Sequence, residues 1–309
     1  MKAIMHHAPV DGGELTVATW GTPSADQAVL LIHGVTASHH AWDEFAPLLA
    51  HAGYYVIAPD LRGRGRSAVL SGPYGMQQHA DDMVSALASL DISRTTVIGH
   101  SMGGFVGLTL AHYYPEHVKN LVLVDGGLPL NVPPDLEADE VIQRILGPTA
   151  ERLARTFDSV DDYLDFWRAH PGFCDHWEPH YDTYFAYDLD GVPGSYTPAT
   201  SYAAAKADTV DLVQGTTIPK ALQQMTQPLL FVTCPRGLFD ETPGLYAPDY
   251  LHELLAAYPH VRHAHIDDVN HYNIVMGTQG ATALAALLKD QGVFDETWPH
   301  INTPIGKNA

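Results

Sequence analysis

The chain has 309 residues, of which 46% are hydrophobic and 17% charged, a composition typical of a globular protein rather than a disordered one. Its 36 acidic residues outnumber its 16 basic residues, and the resulting net charge of −20 repels phosphate backbones. These numbers argue against a nucleic-acid-binding protein and predict either one large α/β domain or two ordinary domains.

Features that would direct the chain out of the cytoplasm are not found in the sequence. The first residues, MKAIMHHAPVDGG, lack the apolar stretch of a signal peptide, and no run of 18 apolar residues occurs. Cys174 and Cys234 are too few for a disulfide framework, and neither lies in a spacing typical of zinc ligands. We therefore expect a cytoplasmic protein with no membrane span, no metal and no cofactor; its oligomeric state is left open.

Short apolar runs alternate with helical patterns along most of the chain, which is typical of a parallel sheet covered by helices on both faces. Several of the runs, such as VLLI and LVLV, are continuously apolar, as strands buried on both faces should be. The predicted strands are residues 14–20, 29–33, 54–59, 95–99, 121–124, 228–233 and 261–266. The predicted helices include residues 76–90, 105–112, 249–258 and 281–289.

The alternation stops after Val124 and resumes at Pro228. The segment between them is rich in aromatic residues and is interrupted by Pro and Gly, so we interpret it as an insertion between two strands of one sheet. We predict a core of residues 1–127 and 226–309, and an inserted cap of residues 128–225.

The sequence GHSMG at residues 99–103 follows one predicted strand and precedes one predicted helix. Glycine on both sides of Ser101 permits a tight turn that projects the serine at the carboxyl end of the strand. The helix that follows directs its N–H groups and the positive end of its dipole toward the same place. A serine in this position is suited to act as a nucleophile served by an oxyanion hole.

Three motifs in this order and spacing resemble the α/β-hydrolase superfamily. His33-Gly34 follows the strand VLLI, DLRGRGRS at residues 60–67 follows the next strand, and GHSMG is similar to the family's nucleophile elbow. The resemblance covers almost all of the chain outside the insertion. It implies a mostly parallel, doubly wound α/β sheet with a largely helical cap inserted after the sixth core strand.

The family's chain order of nucleophile, acid and histidine implies His271 as the general base, because it follows the last predicted strand in the sequence DDVNHYNIV. Two aspartates compete for the role of the acid. Asp240, in the turn PRGLFD, resembles the family's G-x-x-D turn and is our preferred candidate. Asp125, at the end of the strand LVLV, is the alternative.

The resemblance also implies an oxyanion hole formed by the backbone N–H groups of Val35 and Met102. The aromatic residues of the insertion would cover the carboxyl ends of the strands, where Ser101 emerges. We expect the substrate to contact Phe166, Trp167, Trp177 and Tyr187.

These residues predict a serine hydrolase that cleaves a hydrophobic carboxylic ester or lactone through an acyl-enzyme intermediate. Amide or C–C bond hydrolysis would use the same three side chains, and a capped hydrolase fold can also act as a small-molecule receptor with little turnover. The sequence leaves these alternatives open.

Overall fold

The structure, a computed structural model, describes residues 1–133, 136–145, 147, 151–225 and 227–295. Thr226 and residues 296–309, which we assigned to the predicted core, lie outside the described residues, as do several residues of the insertion. The strands are β1 (Ile4–Val10), β2 (Gly13–Trp20), β3 (Ala28–Ile32), β4 (Tyr55–Pro59), β5 (Thr95–His100), β6 (Val118–Val124), β7 (Leu189–Val192), β8 (Ser195–Pro198), β9 (Leu229–Thr233) and β10 (Arg262–His265).

Helices follow or precede most of these strands. In chain order they are α1 (Phe45–His51), α2 (Met76–Ser89), α3 (Met102–Tyr113), α4 (Ala138–Ile145), α5 (Val160–Arg168), α6 (Pro171–Cys174), α7 (Tyr181–Tyr187), α8 (Tyr202–Gln214), α9 (Thr217–Gln224), α10 (Pro248–Ala257), α11 (Asn273–Met276) and α12 (Thr278–Asp290). None of the helices in the described ranges is both long enough and apolar enough to cross a membrane.

Eight strands form one twisted sheet in the order β1-β2-β4-β3-β5-β6-β9-β10. Only β1 with β2 and β2 with β4 pair antiparallel, and every other neighbouring pair is parallel. Alternate strand residues face opposite sides: Leu30 packs with helices α2 and α3, whereas Leu31 packs with α1 and α12. The predicted fold class, a mostly parallel sheet covered on both faces, is confirmed.

Two groups of strands were absent from the sequence prediction. Residues 4–10 form the edge strand β1, and residues 189–198 form the β7–β8 hairpin inside the segment where we expected no strands. Strand β6 pairs directly with β9, so the residues between them are inserted between two neighbouring strands of the sheet. The division into a core and a separate cap domain stays a prediction.

The parallel topology determines where the site forms. Strands β3, β5, β6 and β9 run in the same direction, so their carboxyl ends meet at one edge of the sheet. His33 follows β3, Ser101 follows β5, and Asp125 follows β6. Ligand sites of open α/β sheets form at this edge.

Candidate active site

Ser101 lies on a sharp turn between β5 and α3. Its backbone has φ of 54° and ψ of −124°, a conformation that side-chain-bearing residues rarely adopt. The turn is possible because a Cβ on Gly99 would lie 2.1 Å from the carbonyl oxygen of Gly103, and a Cβ on Gly103 would lie 2.0 Å from that of Ile32. The two glycines of the GHSMG sequence are therefore required for steric reasons, and the strained serine is held by its surroundings.

Ser101, His271 and Asp125 form a continuous hydrogen-bonded chain. The Oγ of Ser101 lies 3.0 Å from Nε2 of His271, and Nδ1 of His271 lies 2.7 Å from Oδ2 of Asp125. His271 is 3% exposed and Asp125 is fully buried. With Nδ1 donating to the carboxylate, Nε2 is free to accept a proton from the serine hydroxyl, which is the geometry of a nucleophile, a base and an orienting acid.

The preference for Asp240 as the residue beside His271 is wrong. The carboxylate of Asp240 accepts hydrogen bonds from Nε of Arg236 (2.7 Å) and from Nδ2 of Asn270 (3.0 Å), and its side chain is 26% exposed. Because β6 and β9 are neighbouring strands, the acid could follow either of them. In the loop after β9, the carboxylate of Asp240 binds Arg236. Asp125 directly follows β6, beside the turn that contains Ser101.

The loop after β3 brings Val35 to the serine. A Cβ on Gly34 would lie 3.2 Å from Cβ of Ser101, so the backbone of this loop passes directly beside the hydroxyl. Val35 and Met102 both line the cavity that contains Ser101. Within the described ranges, neither backbone N–H donates a hydrogen bond, which leaves both available for a ligand oxygen.

His33 supports this loop from inside the protein. Its Nδ1–H donates to the carbonyl oxygen of Gly34 (2.8 Å), and its Nε2 accepts from the backbone N–H of Leu61 (2.9 Å). Burial lowers the pKa of His33 from its ordinary 6.5 to about 4, so the ring stays neutral and keeps both contacts at neutral pH.

Arg64, from the DLRGRGRS sequence, also holds the loop. Its Nε donates to the carbonyl oxygen of Val35 (2.9 Å), and its Nη1 lies 2.5 Å from Oδ2 of Asp208 on helix α8 of the insertion. Asp208 also accepts a hydrogen bond from His79 (2.9 Å), and all three side chains are fully buried. The insertion is thereby connected to the loop that carries Val35.

His100 has a contact that the sequence analysis did not predict. Its Nε2–H donates to the carbonyl oxygen of His271 (2.7 Å), and its ring lies 4.7 Å from the ring of His271. Burial, with His271 close by, holds the pKa of His100 well below its usual range, so the ring stays neutral. The sequence analysis had no motif that marks this contact between residues 171 positions apart, because it joins a side chain to a backbone carbonyl oxygen.

The cavity above Ser101 comprises about 840 Å³ of space outside protein atoms, including its open mouth. Of the four aromatic residues predicted to contact substrate, Trp167 lines this cavity. The other lining aromatic side chains are those of Phe105, Phe173, Tyr184, Phe185 and Tyr272.

Phe166, Trp177 and Tyr187 are not among the lining residues, which corrects the prediction for all three. Phe166 stacks on Tyr163, with ring centroids 6.5 Å apart, and Trp177 stacks on Phe185, with ring centroids 5.6 Å apart. The hydroxyl of Tyr187 donates to Oδ2 of Asp60 (2.6 Å). The aromatic composition predicted that the insertion contacts the substrate, but it could not predict which face of each helix lines the cavity.

No group of three or more His, Cys, Asp or Glu side chains in the described part of the chain is arranged to hold a metal ion. The buried arginines of the DLRGRGRS sequence are paired with carboxylates. Arg62 binds Asp82 (2.7 Å) and Arg64 binds Asp208, so both have a role within the fold.

Part of the chain is similar in sequence to known proteins. An uncharacterised protein of Mycobacterium tuberculosis is 40% identical over 100 residues, which cover 32% of this chain and 29% of that protein. A 3-hydroxybutyrate-oligomer hydrolase of Cupriavidus necator is 36% identical over 110 residues, which cover 35% of this chain and 37% of that protein. The chain thus matches only about a third of the length of these curated relatives.

Among solved structures, the thioesterase domain from the curacin biosynthetic pathway superposes with a TM-score of 0.73 and 21% identity. The superposition covers 94% of this chain and all of that domain, and at this identity it shows a shared fold. The family model described as the α/β-hydrolase fold matches residues 27–186, from the strand before the His33-Gly34 turn into helix α7 of the insertion. The chain belongs to the α/β-hydrolase fold family.

Proposed function

We propose that this chain is a serine hydrolase that cleaves carboxylic esters or lactones through an acyl-enzyme intermediate. The observation that carries the proposal is the chain of hydrogen bonds that connects Asp125 to His271 and His271 to the hydroxyl of Ser101. This hydroxyl lies in a largely apolar cavity. A nucleophile whose base is itself oriented by a buried carboxylate is the arrangement that activates serine for acyl transfer.

In the first half of the reaction, Oγ of Ser101 attacks the carbonyl carbon of the substrate as its proton passes to Nε2 of His271. Asp125 stabilises the resulting imidazolium, and the N–H groups of Val35 and Met102 bind the oxyanion. The imidazolium then donates its proton to the leaving oxygen as the C–O bond breaks. This releases the alcohol and leaves the acyl group on Ser101.

In the second half, His271 removes a proton from water as the water oxygen attacks the acyl carbon. The imidazolium then returns this proton to Oγ of Ser101 as the bond between Oγ and the acyl carbon breaks, which releases the carboxylic acid and free Ser101. The proton of Ser101 thus passes to the departing alcohol, and the proton of water passes to Ser101. The scheme assigns no step to a metal or cofactor. The hydrolase named among the relatives supports hydrolysis in general, and the ester or lactone substrate rests on the site alone.

The experiment is a hydrolysis screen with p-nitrophenyl acetate, longer p-nitrophenyl esters, lactones and anilides, with Ser101→Ala as the control. We expect turnover of esters or lactones that is lost in Ser101→Ala while the folded structure is retained. Anilide turnover without ester turnover would contradict the assigned substrate class. Tight ligand binding with no turnover of any compound would instead indicate a receptor.

A further inference from the structure

The cavity above Ser101 has two chemically different halves. The first belongs to the hydrophobic core on the α2 and α3 side of the sheet, and its lining is aliphatic apart from Met102 and Phe105. The aliphatic residues of this half are Val35, Leu130, Ile145, Leu212 and Leu245. The second half belongs to the opposite core cluster, and its large lining residues are Trp167, Phe173, Tyr184, Phe185 and Tyr272, with Met276 beside them.

The rings of the aromatic half form one continuous surface. Trp167 stacks on Phe185 with centroids 4.4 Å apart, and Phe173 lies 5.1 Å from Phe185. Phe173 also lies 4.7 Å from Tyr272, and Tyr184 lies 4.8 Å from Phe185. These separations are in the range of favourable aromatic pairs, so an additional ring placed against this surface would gain the same kind of contact.

The catalytic groups give the two halves different roles. In the proposed reaction His271 must protonate the leaving oxygen, so the alcohol portion lies on the His271 side of the scissile bond. Tyr272 directly follows His271, with ring centroids 5.6 Å apart, and belongs to the aromatic half. The oxyanion donors Val35 and Met102 belong to the other half, which is left for the acyl chain.

From this division we infer that the enzyme prefers esters with an aliphatic acyl chain and an alcohol portion that carries an aryl ring. The inference rests on the proposed function, because it uses the direction of proton transfer from His271. It assigns the acyl subsite to the aliphatic half, represented by Leu130 and Leu212, and the alcohol subsite to the aromatic half, represented by Phe173 and Tyr272.

The test compares two isomeric esters, benzyl hexanoate and pentyl phenylacetate, which have the same atoms and differ in the side of the ester bond that carries the ring. The kcat/KM of each ester is divided by its rate constant for hydrolysis by hydroxide, which removes differences in intrinsic reactivity. We expect the corrected value for benzyl hexanoate to be about threefold to tenfold higher, the range of one favourable ring contact. Equal values, or a preference for pentyl phenylacetate, would overturn the inference.

Two matched variants test the source of the preference. Phe173→Leu removes one ring from the cavity wall and should lower the ratio of the two corrected values. Phe166→Leu removes a ring of the same insertion that does not line the cavity, and should leave the ratio unchanged. A native ratio that survives in Phe173→Leu would contradict the assignment of the alcohol subsite to the aromatic half.

Failure of this inference and failure of the proposed function give different results. If p-nitrophenyl acetate is hydrolysed in a Ser101-dependent manner and the isomers do not differ, only the inference fails. If neither esters nor lactones are hydrolysed, the proposed function fails and the inference fails with it. The isomer comparison uses the native protein, so it decides the question even if Phe173→Leu does not fold.

Discussion

Replacing Asp125 by Asn should nearly abolish turnover while the fold is retained. An Asn amide can donate a hydrogen bond to Nδ1 of His271, which forces the ring proton onto Nε2, so Nε2 can no longer accept the proton of Ser101. The replacement also removes the negative charge that stabilises the imidazolium. Both effects act at a site where the carboxylate is fully buried and lies 2.7 Å from the ring nitrogen.

The magnitude follows from that distance. Two unit charges 2.7 Å apart interact by about 6 kcal/mol at an effective dielectric constant of about 20. About 5.4 kcal/mol corresponds to a factor of about 10⁴ in rate, which is the loss known for the same replacement in the serine-protease triad. We therefore expect kcat of Asp125→Asn to fall by about four decades.

Asp240→Asn is the matched control. The side-chain oxygen of Asn can still accept the hydrogen bonds of Arg236 and Asn270, so kcat should fall by less than about tenfold. The assay is steady-state hydrolysis of p-nitrophenyl acetate, with circular dichroism to check that both variants are folded. Equal losses, or a larger loss in Asp240→Asn, would refute the assignment of Asp125.

Three further predictions concern the residues around the site. Arg64→Met should lower the free energy of unfolding by about 3–5 kcal/mol, because it leaves the buried carboxylate of Asp208 without its arginine. Chemical denaturation would measure this loss, and an unchanged denaturation midpoint would contradict the prediction. Burial lowers the pKa of His33 to about 4, so the unfolded chain binds more protons between pH 6.5 and 4. The contribution of His33 should therefore lower the free energy of unfolding by about 1.6 kcal/mol as the pH falls from 6.5 to 5, which denaturation at both pH values would measure. Tyr187→Phe should cost about 1.5–3 kcal/mol of stability through the lost hydrogen bond to Asp60 and leave kcat unchanged, whereas a large loss of kcat would place Tyr187 in the site.

Local requirements made the sheet and the elbow predictable. A strand buried on both faces must be continuously apolar, as LLFV before Thr233 is, and such runs located the central strands. The turn at Ser101 requires glycine at the positions where a Cβ would clash with backbone atoms, so these glycines made the turn predictable from the sequence. Strand β1 was missed because IMHHAPV is an edge strand, exposed for most of its length, and has no clear apolar alternation.

Contacts between distant segments were the part that the sequence could not specify. Asp125 and Asp240 follow neighbouring strands, and only the path of the loop after β9 decides which carboxylate reaches His271. Among the aromatic residues of the insertion, Trp167 lies at the cavity whereas the adjacent Phe166 does not, because successive residues of helix α5 point in different directions. The contact of His100 with the carbonyl oxygen of His271 is likewise a consequence of the assembled fold.

The most direct test of the central claim, that Ser101 is an activated nucleophile, is covalent labelling with a fluorophosphonate probe followed by mass spectrometry of the digested protein. We expect one modified peptide, with the modification on Ser101 and none in Ser101→Ala. Labelling should also be strongly slowed in Asp125→Asn, because the base then lacks its orienting carboxylate. Modification of a different serine, or ester hydrolysis by a protein whose Ser101 stays unlabelled, would contradict the proposed mechanism.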